Sequence, residues 1–171
     1  MKMKAVFVIS LWLTVIQLTA QDEKLTTFIL VRHAEREVGQ GSMAPGKDPN
    51  LSEDGMKRAE RLVSVFSKTK IDVVYSTPFI RTRKTVEPLA QSKSLTVKEY
   101  EPNKLEAIDQ MLRDHEGKTI LVCGHSNTIP KIANHLSKSG NLNDFDDTEY
   151  GNILIVTISK SNLSKIIWLT Y

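Results

Sequence analysis

Two arginines and two histidines stand where short apolar runs give way to polar residues. Arg32 and His33 follow Thr26 to Val31, Arg81 comes shortly after Ile71 to Tyr75, and His125 comes two residues after Thr119 to Cys123. Such a set makes a poor metal site, because guanidinium groups repel a dication and no carboxylate falls at ligand spacing. It makes a good site for a dianion, since arginine offers paired planar donors that match phosphate oxygens and stays charged. An imidazole among cations is biased toward its neutral form, the form that can attack phosphorus. His33 is the candidate nucleophile, with Arg32, Arg81 and His125 holding the transferring oxygens and Ser126 as a further binding residue. No metal and no organic cofactor is required for that chemistry.

Positioning these residues asks for buried strands that end at one edge of a sheet. Thr26 to Val31, Ile71 to Tyr75, Leu95 to Tyr100 and Thr119 to Cys123 read as strands, being short, apolar and rich in branched residues. Ser52 is a predicted N-cap for a helix to about Ser67 with a stripe at Met56, Ala59, Leu62, Val63 and Phe66. Thr77-Pro78 predicts a cap and first turn for a second helix that bends or ends near Pro88. A third helix is expected from Lys104 to about His115, stopped by Gly117, and a fourth after Asn127 with Pro130 in its first turns. Ile153 to Ser159 and Lys165 to Leu169 flank Lys160-Ser161-Asn162 as a terminal hairpin. Alternation of strands and helices predicts a three-layer α/β/α sandwich with a mainly parallel sheet and an antiparallel edge. In such sheets ligands sit beyond the carboxyl ends of the strands, where the four residues fall.

In chain order these residues fall into motifs. Arg32-His33-Ala34-Glu35 is followed by Leu51-Ser52-Glu53-Asp54-Gly55-Met56-Lys57-Arg58-Ala59, then by Tyr75-Ser76-Thr77-Pro78-Phe79-Ile80-Arg81 with Thr85, then by Val122-Cys123-Gly124-His125-Ser126-Asn127. The set resembles the histidine phosphatase superfamily, of phosphoglycerate-mutase-like fold, and within it the compact bacterial phosphohistidine phosphatases. The resemblance implies that His33 becomes phosphorylated and that Arg32, Arg81 and His125 complete the phosphate pocket. Many members carry an acid that protonates the leaving group. Here Ser126, not an acid, follows His125, and Glu101 at the end of the third strand is the candidate general acid, from a region that also holds Glu99 and Glu106. Long insertions of the mutases are absent from the pattern.

Other readings of the same residues are weaker. Gly124 to Thr128 lacks the second glycine of a serine-hydrolase elbow. Cys123 lacks the arginine that closes a cysteine-phosphatase loop, and reads as a buried core thiol. Glu35 and Glu37 could order Arg32 or another pocket arginine, or be plain loop residues. His115 and His135 read as structural or solvent-facing, and Asp144, Asp146 and Asp147 as a solvated turn.

The 171 residues are 40% hydrophobic and 25% charged, an ordinary globular balance. Lys2 and Lys4 precede an apolar run from Ala5 to Leu18 that ends at Leu18-Thr19-Ala20, the pattern of a secretory signal over residues 1–20, with the domain at 21–171. Removing that leader leaves 21 basic against 20 acidic residues, which gives no electrostatic case for nucleic acid, and leaves no stable membrane insertion. The expected location is exported, periplasmic or secreted. The expected partner is a phosphorylated small molecule or phosphoprotein acting as substrate. A noncatalytic phosphate-binding module and a mutase-like phosphotransferase remain open beside the hydrolase.

Overall fold

The computed structural model describes residues 24–38, 48–138, 140–161 and 163–171. The expected leader, residues 1–20, lies outside them, as do Gly39, Gly41, Pro45 and Gly46 of the loop after His33.

In chain order the elements are β1 (Thr26–Arg32), α1 (Glu53–Val65), β2 (Val73–Ser76), α2 (Ile80–Ser92), β3 (Val97–Glu99), α3 (Leu105–Asp114), β4 (Thr119–Gly124), α4 (Thr128–Ser137), β5 (Asn152–Ile158) and β6 (Ser164–Thr170). The six strands form one sheet in the order β3-β2-β4-β1-β5-β6. The first four are parallel, and β5 and β6 add antiparallel on the β1 side. The alternation of side chains along β1 explains the layering. Phe28 and Leu30 face a core closed by Ile108 and Met111 of α3 with Ile129, Ile132 and Leu136 of α4. Ile29 and Val31 face the opposite core, closed by Leu62 of α1 with Val86 and Leu89 of α2. Both faces are covered, so this is the expected α/β/α sandwich.

Strand order also explains how distant residues meet. Strands β2, β4 and β1 are neighbours, with Ser76 paired to Cys123 and Arg32 to Gly124 in register. The segments leaving these three ends are therefore adjacent.

Several boundaries differ from expectation. Helix α2 starts at Ile80 with Phe79 as its N-cap, and Thr77 and Pro78 stay outside it. The Thr77 side chain is spent instead on Thr82 and His125, at 2.8 and 3.1 Å. Pro88 does not end α2, since the helix runs on to Ser92. The buried contacts of Val86, Leu89 and Ala90 outweigh the one missing amide proton. Met56, expected on the buried stripe of α1, is 51% exposed. Ser52 does cap α1, its hydroxyl accepting from the Gly55 amide at 3.1 Å.

Gly55 sits in the first turn of α1 for want of space. A Cβ there would lie 2.1 Å from the carbonyl oxygen of Glu35. That carbonyl accepts from the Ser52 amide at 3.0 Å, while Glu37 N donates to Asn50 O at 2.9 Å, and the two bonds close the base of the excursion between β1 and α1. Gly117, after α3, has φ of 74°, the left-handed conformation expected of a helix stop.

Candidate active site

The structure brings Arg32, His33, Arg81 and His125 together. His33 and His125 stand edge to face with ring centroids 5.5 Å apart, and Nη2 of Arg81 lies 3.3 Å from Nδ1 of His125. The main chain of His33 is fixed by its amide donating to Gly124 O at 2.9 Å. The next amide, of Ala34, donates to Thr85 Oγ1 at 2.9 Å, and that hydroxyl donates in turn to Arg81 O at 2.7 Å. Thr85 therefore ties the loop carrying His33 to the helix carrying Arg81.

Geometry determines which imidazole nitrogen is free. Nδ1 of His33 lies 2.8 Å from the Ala34 carbonyl, which can only accept, so the proton sits on Nδ1 and the lone pair on Nε2. His33 is 5% exposed. Burial, opposed by the Ala34 carbonyl and aided by the charges of His125, Arg81 and Arg32, lowers its pKa to about 3. His125 accepts at Nδ1 from Arg81, which leaves Nε2 to donate to Thr77 Oγ1 at 3.1 Å. Burial first, then Arg81 and Arg32, lowers its pKa to about 4. At neutral pH both rings are uncharged, and the lone pair of His33 Nε2 belongs to a site that holds two cations, Arg32 and Arg81.

Arg32 stands next to His33, but its guanidinium is largely engaged. Nη1 donates to the carbonyls of Asp146 and Glu149 at 2.6 and 3.0 Å, and Nη2 donates to that of Asp147 at 3.1 Å. The ring of Tyr150 lies 4.2 Å from its central carbon. Nε is buried and has no partner. The edge left for an anion is thus Nε with the second hydrogen of Nη2. A buried donor without a partner costs about 1–3 kcal/mol, which an anionic oxygen would recover.

Arg81 shares one side with Asp48. Nη1 of Arg81 lies 3.1 Å from Oδ1, and the Ile80 amide donates to Oδ2 at 2.8 Å. Asp48 thereby supplies the first turn of α2 with the cap that Phe79 lacks.

Ser126 is half-buried beside His125, and its carbonyl accepts from the Phe145 amide at 3.0 Å. Glu101, two residues beyond β3, is exposed, and its carboxylate takes no hydrogen bond or ion pair among the described residues. No contact joins it to the four. Glu99 pairs with Arg83 at the surface at 2.9 Å. Glu35 orders neither Arg32 nor Arg81. It grips Arg58 of α1 through both oxygens at 2.6 to 3.0 Å, and Arg58 donates to the Tyr171 carbonyl at 2.7 Å. Burial would push the Glu35 carboxyl up, but the hydrogen bonds from Arg58 outweigh it and hold the pKa below its ordinary value.

Sequence reasoning missed Asp48, Phe79, Tyr150 and the carbonyls of the 146–149 turn. Phe79 lies 4.5 Å from the central carbon of Arg81 and packs its ring 5.1 Å from His125. The acidic turn was read as solvated; its side chains are exposed, but its backbone holds Arg32. Cys123 is fully buried, and burial raises its thiol well above the ordinary range, as fits a core residue.

Known proteins share this fold. The histidine phosphatase superfamily (branch 1) matches residues 28–102, so over that stretch the chain carries the sequence pattern of the superfamily, and the described domain has the phosphoglycerate-mutase-like fold. The chain is similar to phosphoserine phosphatase 1 of Hydrogenobacter thermophilus, at 42% identity over 74 residues, which is 43% of this chain. The match spans 35% of the length of that curated relative. Among solved structures, the protein histidine phosphatase SixA complexed with tungstate aligns over 84% of this chain and 96% of its own, with a TM-score of 0.66 at 16% identity. Phosphoserine phosphatase from Entamoeba histolytica, in complex with 3-phosphoglyceric acid, aligns over 85% and 98%, with a TM-score of 0.67 at 16% identity. At that identity the likeness concerns the fold.

Proposed function

We propose that the protein is a phosphatase that hydrolyses phosphorylated substrates through a phosphohistidine at Nε2 of His33. The observation that carries this reading is the bond from Nδ1 of His33 to the Ala34 carbonyl at 2.8 Å, which leaves Nε2 unprotonated between two arginines and a second histidine.

In the first step the Nε2 lone pair forms a bond to phosphorus, and the bond from phosphorus to the leaving oxygen breaks with its electron pair on that oxygen. In the second, water attacks phosphorus, the N–P bond breaks, the pair returns to Nε2, and the proton lost by water passes to solvent. Phosphoryl transfer is catalysed mainly by positioning and charge stabilisation. The Nε edge of Arg32 and the uncommitted hydrogens of Arg81 would meet the transferring oxygens. His125 and the Ser126 hydroxyl would line the same pocket once a ligand draws them.

The family matched over residues 28–102 and the phosphatases that share the fold support hydrolysis over simple capture of an anion. His33→Ala should abolish release of phosphate from a chromogenic aryl phosphate, and acid-labile label should appear on the wild-type chain during turnover. Wild-type rates in His33→Ala would defeat the proposal, and phosphate binding without turnover would favour a binding module. Transfer to an added alcohol in preference to water would mark a phosphotransferase. A role for Glu101 as proton donor would show as a loss in Glu101→Gln confined to poor leaving groups. Export belongs to the same proposal: mature protein recovered outside the cytoplasm should begin at Gln21.

A further inference from the structure

The four chemical residues are flanked by two aromatic rings. Phe79, Tyr150 and the two histidines form a row in which successive centroids lie 5.1 Å apart from Phe79 to His125, 5.5 Å from His125 to His33, and 6.0 Å from His33 to Tyr150. Each outer ring also stacks on one arginine of the site, Phe79 on Arg81 and Tyr150 on Arg32, at 4.5 and 4.2 Å. Both residues are half-buried, so each keeps some surface open to solvent. They come from separate segments, the residue before α2 and the residue before Gly151 and β5, and each packs against one of the two histidines.

The carboxylates whose contacts reach this site are already engaged or turned to solvent. Asp48 is tied to Arg81 and the Ile80 amide, and Glu149 accepts from the Asp146 amide at 2.9 Å. The Asp147 side chain is 97% exposed and 3.9 Å from Arg32. Among the described residues, then, no carboxylate is held against His33 or His125 to meet a leaving group. That arrangement selects an oxygen whose conjugate acid is strong, as a phenol is relative to an alkyl alcohol.

From the rings and the missing acid together we infer that Phe79 and Tyr150 determine specificity, selecting aryl phosphomonoesters whose flat ring lies against these two side chains. The inference rests on the phosphatase reading above. In the first step Nε2 of His33 bonds to phosphorus, and the bond from phosphorus to the aryl oxygen breaks to give phenoxide, which takes its proton from solvent. The ring that departs is the group that Phe79 and Tyr150 hold through offset or edge contacts, the geometry preferred by aromatic pairs.

The test separates ring recognition from leaving-group acidity. Phenyl phosphate is compared, by kcat/KM, with a fluorinated alkyl phosphate whose alcohol is matched in acidity to phenol. The wild-type protein should favour phenyl phosphate by about two- to tenfold for each ring engaged. Phe79→Leu and Tyr150→Leu should each lower that ratio toward one. Damage to Arg81 or Arg32 by these substitutions cancels in the ratio, because both substrates present the same phosphoryl group. Equal kcat/KM for the matched pair in the wild-type protein, or an unchanged ratio in both variants, would overturn the inference. So would hydrolysis of phosphoserine as efficient as that of phenyl phosphate. Hydrolysis of none of the three would instead defeat the phosphatase reading on which it rests.

Discussion

Replacing Gly55 by alanine pits a local gain against a local clash. Alanine is about 1 kcal/mol better than glycine inside a helix, so propensity alone predicts a more stable protein. The new Cβ, however, would stand 2.1 Å from Glu35 O, 3.0 Å from Glu35 C and 3.1 Å from Glu35 N. Reaching carbon contact distance requires these segments to part by roughly 1 Å or more. Backbone, not a flexible side chain, must yield, and the carbonyl concerned is the one that accepts from the Ser52 amide. Overpacking of this kind costs about 1–3 kcal/mol, and the weakened hydrogen bond adds about 1 kcal/mol. The net expectation is a destabilisation of about 1–3 kcal/mol, or a fall in Tm of roughly 3–10 °C for a domain of this size. Activity should suffer more than stability. Glu35 lies two residues from His33, and the intervening Ala34 carbonyl holds the Nδ1 proton of His33. A misplacement of about 1 Å at a reacting group can cost about 100-fold in rate. Urea and thermal unfolding, with phosphate release measured on the same samples, would check both numbers, using Glu60→Ala on the exposed face of α1 as control. A Gly55→Ala protein more stable than wild type and equally active would refute the reasoning.

Other expectations follow from the buried charges. Both histidines have pKa values below that of an unfolded histidine, so the unfolded chain binds more protons as pH falls through about 6.5, and folding loses about 1.4 kcal/mol per pH unit for each ring until its folded value, about 3 for His33 and about 4 for His125, is reached. Stability should therefore be flat with respect to these rings above about pH 7 and fall below it; ring NMR signals of His33 and His125 that titrate near 6.5 in the folded protein would contradict this. Glu35→Gln removes the charge that Arg58 meets through both oxygens and should destabilise by about 1–3 kcal/mol, measured by denaturant unfolding, since the Arg58 guanidinium is left partly buried without its counter-charge. Cys123 should resist thiol reagents in the native state and react on unfolding, a contrast that mass spectrometry would record.

The residues legible from sequence were those whose position follows from strand periodicity. Arg32, His33 and His125 each leave the end of an apolar run, and the parallel sheet brought those ends together. Gly124 closes β4, where a Cβ would press to 2.7 Å on Thr128 Oγ1, which holds the His125 amide. The partners of Arg32 were hidden because backbone carbonyls carry no side-chain signature, and an acidic run reads as solvated whatever its main chain does. Asp48 was obscured by the proline- and glycine-rich segment around it, although its carboxylate meets the first turn of α2. Phe79 and Tyr150 could not be told from ordinary apolar residues, since their importance lies in which cation each one covers. Pro88 misled because its local cost is real but small beside the core contacts of its neighbours.

Strand β1 lies in the interior of the sheet between β4 and β5, although it comes first among the described strands. Its partners arrive some 90 and 125 residues later along the chain. During synthesis β1 must therefore wait without a strand neighbour until β4 has been made, and without its second neighbour until β5 follows. His33 beside it has no lodging until β4 supplies the Gly124 carbonyl that its amide meets, and Arg58 reaches its carbonyl on Tyr171, beyond β6. Catalytic competence should thus appear late and all at once. Shortening the β5–β6 hairpin by even one strand should abolish the proposed activity without touching Arg32, His33, Arg81 or His125, and the waiting strand is where a holding chaperone would find its grip.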